Sequence, residues 1–280
     1  MNLHIEQWNG RLGNNIVQLK NTIQVALFYN YNIIIPDLTN PYGQQVSKSS
    51  YFSLNNNITI EDDKITDDGN FYYAAKTQLK RRKENLVSEI DKNLFKMNKK
   101  KTIEILKDSI VIPKPLSLNE NDLVIHIRSG DIFEDDGTHP AYIMPPLSYY
   151  VDIIENNNFN NIWIIAEDRK NPCIDELLTL YPKANYRQQS LDEDIKILLG
   201  ATHVVMSYGT MVHALLLFSD SIKNLYSPSY FTGSALYEEM YIQNDGQSRI
   251  NNFKIELDEY HKKLTPWKNT KGQREIMMAY

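Results

Sequence analysis

Short apolar runs alternate with segments of helical periodicity through the second half of this 280-residue chain. Strand-like runs occur at 123–127, 162–166, 203–206 and 222–226, and segments with apolar residues at helical spacing separate them. Strands that alternate with helices usually pair in parallel, because each helix carries the chain back to the same edge of the sheet. The pattern therefore predicts an α/β fold whose parallel sheet is covered by helices on both faces.

The N-terminal half opens with a similar pattern. An apolar run, a segment of helical spacing and a second apolar run that ends at Pro36 follow one another. A linker with prolines around Pro113 separates the two halves. We therefore expect two α/β domains, 1–115 and 116–250, and an amphipathic helical tail, 251–280, that packs back on the N-terminal half.

The composition excludes several classes of protein. The net charge is −5, whereas a general nucleic-acid binder needs a basic face. A single cysteine, Cys173, excludes an intramolecular disulfide framework and fits a reducing compartment. Neither a signal-peptide pattern nor an apolar run long enough to span a bilayer is visible. We expect a cytoplasmic protein with no nucleic-acid partner and no transmembrane segment, and the oligomeric state stays open.

The strand at 123–127 delivers two functional side chains onto a Ser-Gly-Asp turn. Alternation along a strand puts His126 and Arg128 on the same face. A guanidinium at such a strand end can bind a phosphate through two parallel hydrogen bonds. An edge strand whose Arg128 and Asp131 pair on the surface would give the same pattern, so the residues alone leave both interpretations open.

Three further loops follow predicted strands, and ligands of open α/β sheets bind at that edge. In the first, Gly10 and Gly13 would let the backbone approach a ligand ahead of a helix, although a tight turn needs glycine anyway. The third glycine of the dinucleotide fingerprint is missing.

The second and third of these loops follow the runs 162–166 and 203–206. Glu167 and Asp168 either cap the next helix or face a ligand. In the Ser-Tyr-Gly-Thr turn 207–210, Ser207 and Thr210 either cap the following helix or hold a phosphate at its start.

Two acidic clusters also have alternative interpretations. Asp192 and Asp194 have the spacing of a Mg²⁺ or Mn²⁺ site, but they open an amphipathic helix, where acids favour the helix dipole, so we expect no metal. The run 134–136 lies just past Arg128 and is either a solvated acidic loop or the source of a general base.

Taken in order, three segments resemble the fucosyltransferase superfamily that uses GDP-fucose and includes α1,2-, α1,6- and protein O-fucosyltransferases. Residues 10–15 resemble its Gly-x-Leu/Phe-Gly-Asn-Gln turn, and 126–131 resemble its His-x-Arg-Arg-Gly/Thr-Asp motif. Residues 191–214 are similar to a segment in which an acidic residue opens a helix and a Ser/Thr-rich turn follows the next strand.

The resemblance implies a GT-B fold, in which two Rossmann-like halves face a cleft. It implies an inverting, metal-independent transfer of a sugar from a GDP-sugar to a glycan hydroxyl, with no cofactor, and the sugar that it implies is fucose. Arg128 would hold the β-phosphate, and His126 and Asp194 would read the guanine. The whole donor-binding set that the resemblance implies is Gly10, Arg11, Gly13, Asn14, His126, Arg128, Asp168, Asp194, Ser207, Gly209 and Thr210.

The chain departs from the family pattern at Ser129, where the motif has a second Arg, and this leaves the donor sugar open. In the α1,6 branch a Glu ten residues beyond the motif His is the proposed base. Asp136 has that spacing here, so Arg128, Asp136 and Glu134 are the catalytic candidates. The alternatives are a metal-dependent transferase or hydrolase that uses Asp192 and Asp194, and a non-catalytic module that binds a nucleotide or glycan.

Overall fold

The computed structural model describes residues 2–4, 11–29, 32–34, 99–110, 112–134, 140–230 and 249–279. The chain divides into two compact units, Met1–Ile112 and Pro113–Tyr280. The division lies close to the boundary after residue 115 that the linker prolines predict.

In the N-terminal unit, two short parallel strands, β1 (Asn2–His4) and β2 (Asn32–Ile34), are joined by helix α1 (Leu12–Tyr29). Helix α2 (Lys99–Ser109) packs against α1. The apolar stripe of α1 is buried, as its spacing predicts, and it extends back to Leu12. The helix therefore begins earlier than expected, and Gly13 and Asn14 lie in its first turn.

The C-terminal unit is built on six parallel strands in the order β5-β4-β3-β6-β7-β8. Counted from β3, this is the order 3-2-1-4-5-6 of doubly wound Rossmann sheets. The predicted α/β fold is confirmed. The strands are β3 (Leu123–His126), β4 (Ile162–Ile165), β5 (Asn185–Tyr186), β6 (His203–Met206), β7 (Asn224–Pro228) and β8 (Asn251–Ile255).

Helices cover both faces of this sheet. Leu123 and Ile125 lie in a buried cluster with residues of α3, α4 and α8, and Val124 and Val204, which alternate to the opposite face, are buried too. No helix in the described ranges has both the length and the apolar composition to cross a bilayer. The helices are α3 (Leu147–Glu155), α4 (Pro172–Leu180), α5 (Leu191–Gly200), α6 (Met211–Leu216), α7 (Asp258–Leu264) and α8 (Lys271–Ala279).

The tail contributes β8, α7 and α8 to the C-terminal unit, and its packing against the N-terminal half stays a prediction. Trp267, between α7 and α8, is fully buried and donates from Nε1 to the Ile132 carbonyl at 3.0 Å. Its backbone N–H donates to the Pro140 carbonyl at 2.9 Å. Arg274 of α8 donates to the Phe133 carbonyl at 3.0 Å. The tail therefore holds backbone on both sides of the acidic run 134–136.

Two adjacent tyrosines of α3 are fully buried but differ in hydrogen bonding. The Tyr149 hydroxyl lies 2.9 Å from the carbonyl oxygens of Met206 and Tyr226 and so joins α3 to β6 and β7. The Tyr150 hydroxyl is buried with no hydrogen-bond partner among the described residues.

We expect Tyr149→Phe to lower the free energy of unfolding by about 1–3 kcal/mol, since it removes a buried hydrogen-bond donor from two carbonyls. Tyr150→Phe, the matched control, removes a hydroxyl without a partner and should be neutral or stabilising. Urea denaturation of both variants measures the difference. Equal losses in the two variants would contradict this assignment.

Candidate functional site

The direction of the chain across the C-terminal sheet reverses between β3 and β6, and ligands of such sheets bind outside the carboxyl ends of the strands at that point. The loops that follow β3 and β6 are bonded to each other there. The Ser207 N–H donates to the His126 carbonyl at 3.1 Å, and the Arg128 N–H donates to Ser207 Oγ at 2.7 Å. The structure thus brings together two loops that the sequence singled out separately.

The backbone of Arg128 is fixed on both sides by buried side chains. Its N–H is bound by Ser207, and its carbonyl accepts from Asn171 Nδ2 at 3.0 Å. Ser207 and Asn171 are fully buried. Since a buried hydroxyl and a buried amide are costly to leave unpaired, these bonds hold the Arg128 backbone in one place.

The Arg128 guanidinium lies between two carboxylates at this edge. It pairs with Asp131 in the same turn and, from Nη1, with Glu167 Oε2 at 3.5 Å. The Arg128 side chain is 20% exposed, whereas Asp131 and Glu167 are nearly half exposed. The pair with Asp131 that the sequence offered as an alternative is therefore present, and it lies within the candidate site.

Gly130 allows Glu167 to lie this close. Its φ of +75° is a conformation that side chains with a Cβ rarely adopt. A Cβ at this position would lie 2.5 Å from Glu167 Oε2. Both the turn and the closeness of the carboxylate therefore require glycine.

Asp168 binds the loop after β3 instead of capping α4. Its Oδ1 accepts from Ser129 Oγ, from the Gly130 N–H at 3.1 Å and from the Lys170 N–H at 3.0 Å. Burial alone would raise the pKa of Asp168, but these hydrogen bonds outweigh it and the pKa lies below its usual value. The helix cap is Asn171, whose side chain accepts from the Cys173 N–H.

Ser129 is fully buried in this network. It donates to Asp168 and accepts from the Asn171 N–H at 3.0 Å. At the position where the family motif has a second Arg, this chain therefore has a side chain that joins the loops after β3 and β4.

Of the acidic run past Arg128, the described part is Glu134, and Asp136 lies outside the described residues. The Glu134 side chain is about half exposed and pairs with Lys170, whose Nζ also lies 3.3 Å from Asp168 Oδ2. Glu134 is thus linked to the Asp168 network, and its role as a base stays a prediction.

His126 is half-buried, and burial together with the charge of Arg128 lowers its pKa to about 4. The ring is therefore neutral at pH 7. Within the described part of the chain, no group hydrogen-bonds to it. A neutral imidazole beside a cation can both donate to and accept from a ligand.

Asp194 is buried in the first turn of α5, and burial raises its pKa to about 6. Gln189 Nε2 donates to its Oδ1 at 2.8 Å. The preceding residue Gln188 donates from Nε2 to the Glu167 carbonyl at 3.2 Å. The start of α5 is thereby tied to the end of β4, next to the loop that carries Glu167 and Asp168.

Gly209 and Thr210 complete the loop after β6. Gly209 has a φ of +129°, and no atom lies within 4 Å of the place where a Cβ would be. Thr210 precedes α6 without a side-chain capping bond. The Ser207 hydroxyl already accepts from Arg128, so phosphate binding by these residues stays a prediction.

The remaining predicted donor-binding residues belong to the N-terminal unit. Arg11 precedes α1, Gly13 and Asn14 lie in its first turn, and Gly10 lies outside the described residues. Their roles stay predictions.

Asp192 and Asp194 differ in environment, since Asp192 is exposed and Asp194 is buried. Across the ranges that the structure describes, no group of three or more His, Cys, Asp or Glu side chains could hold a metal ion. The two acids lie in the first turn of α5, where the N–H groups of the helix favour negative charge.

From the sequence, Glu167 is interpreted together with Asp168 as a helix cap or a ligand-facing acid, and Lys170 and Asn171 have no assigned role. All three follow β4, whose carboxyl end lies beside that of β3. The strand order, which the sequence did not provide, is what makes them neighbours of Arg128.

No protein-family model matches the chain, and no curated protein matches it either. Among solved structures, POFUT1 in complex with GDP-fucose is 9% identical, with 91% of this chain and 96% of that chain covered and a TM-score of 0.41. The E. coli heptosyltransferase WaaC with ADP is also 9% identical, with 99% and 100% covered and a TM-score of 0.38. At such identities and TM-scores the function must follow from this chain's own residues.

We expect Ser129→Ala to lower the free energy of unfolding by about 1–3 kcal/mol, because the buried Asn171 N–H loses its acceptor. Urea denaturation at pH 7 measures the loss. The control is Thr179→Ala, which removes an exposed hydroxyl that bonds within its own helix and should change stability by less than about 0.5 kcal/mol. A Ser129 variant as stable as this control would show that the network does not hold the loops.

Proposed function

We propose that this protein is a glycosyltransferase that binds a nucleoside diphosphate sugar at the carboxyl ends of β3 and β6. The observation that carries this proposal is Arg128, whose backbone is bound by Ser207 and Asn171 and whose guanidinium lies at the switch point of the sheet. Rossmann sheets that bind dinucleotides use a glycine-rich turn for the pyrophosphate there. At that position this chain instead has the guanidinium of Arg128, which can donate two parallel hydrogen bonds to a phosphate.

An arginine in this position suits the departure of a phosphate group. As the bond between the sugar C1 and the β-phosphate oxygen breaks, its electron pair stays on that oxygen, so negative charge grows on the phosphate. Charge-assisted bonds from Arg128 strengthen as this charge develops. Because the backbone of Arg128 is already fixed, its guanidinium needs little reorganisation as the transition state forms.

For the nucleotide we propose guanine, and for the sugar fucose, as the sequence resemblance implies. The carboxylate of Asp194 would accept the guanine N1–H and exocyclic amine, and the neutral His126 would supply a further bond. Three facts support these roles: Asp194 is buried, no described residue hydrogen-bonds to the ring nitrogens of His126, and Gln188 ties the start of α5 to the end of β4.

For the acceptor step we propose a carboxylate of the run 134–136, with Asp136 first and Glu134 second. The acceptor hydroxyl would attack C1 from the side opposite the phosphate and pass its proton to this carboxylate, which inverts the anomeric centre. We propose that the N-terminal unit binds the glycan that carries this hydroxyl, as the sequence resemblance implies. Glu134 lies three residues after Asp131, the last residue of the Arg128 turn, and this closeness supports a base in this loop.

Arg128→Ala should lower sugar transfer by at least about 100-fold, because the leaving phosphate loses its main cationic contact. Arg169→Ala is the matched control, since Arg169 is an exposed arginine of the neighbouring loop that pairs with Asp175. It should retain activity. Transfer rates with GDP-fucose, together with melting curves that show both variants folded, make the comparison. Normal turnover by a folded Arg128→Ala enzyme would end the proposal.

The nucleotide class can be tested by thermal shift with GDP, UDP and ADP. A nucleotide at 100 times its dissociation constant stabilises the folded state by about 2.7 kcal/mol. We expect GDP to give the largest shift. A larger shift with UDP or ADP would overturn the guanine assignment while leaving a nucleotide-sugar enzyme in place.

Binding of GDP-fucose should weaken as the pH falls through about 6, because protonated Asp194 can no longer accept two hydrogen bonds. One pH unit below this value the affinity should be about ten-fold lower. The phosphates of a sugar diphosphate do not titrate in this range, and the pKa of His126 is about 4, so neither contributes. Asp194→Asn should bind weakly at every pH, and an unchanged pH profile in this variant would contradict the role of Asp194.

A further inference from the structure

We propose that Glu167 competes with the phosphate of the ligand for Arg128 and thereby promotes release of the nucleoside diphosphate product. In the free protein its carboxylate lies 3.5 Å from Arg128 Nη1. On binding, a phosphate oxygen would replace it, and it would return as the product leaves. This inference rests on the proposed function, since it assumes that Arg128 binds a phosphate.

Among the described residues, Asp131 and Glu167 contact Arg128, and their contacts are not equivalent. Asp131 belongs to the same turn, three residues along, and makes the closer contact. Glu167 reaches Arg128 from the loop after another strand, at the outer limit of hydrogen-bond distance. An exchange therefore breaks the weaker contact with Glu167 and leaves Asp131 in place to orient the guanidinium.

The surroundings of Glu167 allow its side chain to move while its backbone stays fixed. Its carbonyl accepts from Gln188 Nε2, and Gly130, beside which its carboxylate lies, is bound through its N–H to Asp168. The side chain itself is 47% exposed. Arg128 is only 20% exposed, but a contact at 3.5 Å with a half-exposed carboxylate is weak, so little is lost when it opens. Rotation of the Glu167 side chain therefore suffices to open the contact.

The local charges make this competition matter more for the product than for the donor. In these two loops, Arg128 contacts Asp131 and Glu167, and Lys170 contacts Glu134 and Asp168, so each of these two cations lies beside two carboxylates. When the bond to the sugar breaks, the terminal phosphate gains a further negative charge. Repulsion by Glu167 therefore acts more strongly on the free nucleoside diphosphate than on the sugar conjugate.

The test compares Glu167→Gln with wild type by isothermal titration. We expect GDP to bind roughly three- to ten-fold more tightly to the variant, as for the loss of one like-charge contact near the surface. The gain for GDP-fucose should be smaller, and product inhibition by GDP should strengthen in step with the GDP affinity. Glu120→Gln is the matched control, because Glu120 is an exposed carboxylate paired with Lys223 at the other end of β3. It should change none of these values.

Weaker GDP binding by Glu167→Gln would show that Glu167 contacts the ligand or positions Arg128, and would overturn the inference. Unchanged binding would overturn it as well, since Glu167 would then not compete. Inorganic pyrophosphate separates this inference from the proposed function. If no nucleotide binds but pyrophosphate binds more tightly to Glu167→Gln, the competition stands and the nucleotide-sugar function falls. If neither nucleotide nor pyrophosphate binds to wild type or variant, both fall.

Discussion

The hydrogen bond from the Arg128 N–H to Ser207 Oγ is the contact on which the candidate site depends, because it joins the two loops at the point where the sheet reverses direction. The backbone ladder of a parallel sheet ends at the carboxyl ends of its strands. The loops that follow are therefore held by other hydrogen bonds, here largely from side chains. Here Ser207 and Asn171 hold the Arg128 backbone, and Ser129 and Asp168 hold each other. The guanidinium of Arg128 is thereby held at this edge of the sheet, where it pairs with Asp131 and Glu167.

Much of this arrangement could be predicted from the sequence. The apolar runs located β3, β4 and β6 and placed Arg128, Asp168 and Ser207 at strand ends. The neighbours of Arg128 could not be predicted, because Glu167 lies 39 residues away and meets it through a strand order that local pattern does not encode. Strand β8 was missed for a different reason: it is an edge strand rich in Asn and Lys, so it shows no apolar run.

Sequence rules that consider only neighbouring residues also misplaced the starts of two helices, α4 and α1. An acid after a strand commonly caps the next helix, yet Asn171 is the cap of α4, since Pro172 at the start of the helix fixes where it begins. This leaves Asp168 free of the helix end, and its carboxylate binds the loop after β3 instead. In the N-terminal unit, the apolar stripe of α1 begins at Leu12, which turns the expected glycine loop into a first helical turn.

The contacts of Trp267 and Arg274 have a consequence for how the protein is made. Both residues bind the backbone around the acidic run past Arg128, from the Ile132 and Phe133 carbonyls on one side to the Pro140 carbonyl on the other. Trp267 and Arg274 are synthesised long after this segment has left the exit tunnel of the ribosome. The backbone at Ile132, Phe133 and Pro140 therefore gains these bonds only after the tail has been synthesised, 135 residues beyond Ile132 in the case of Trp267.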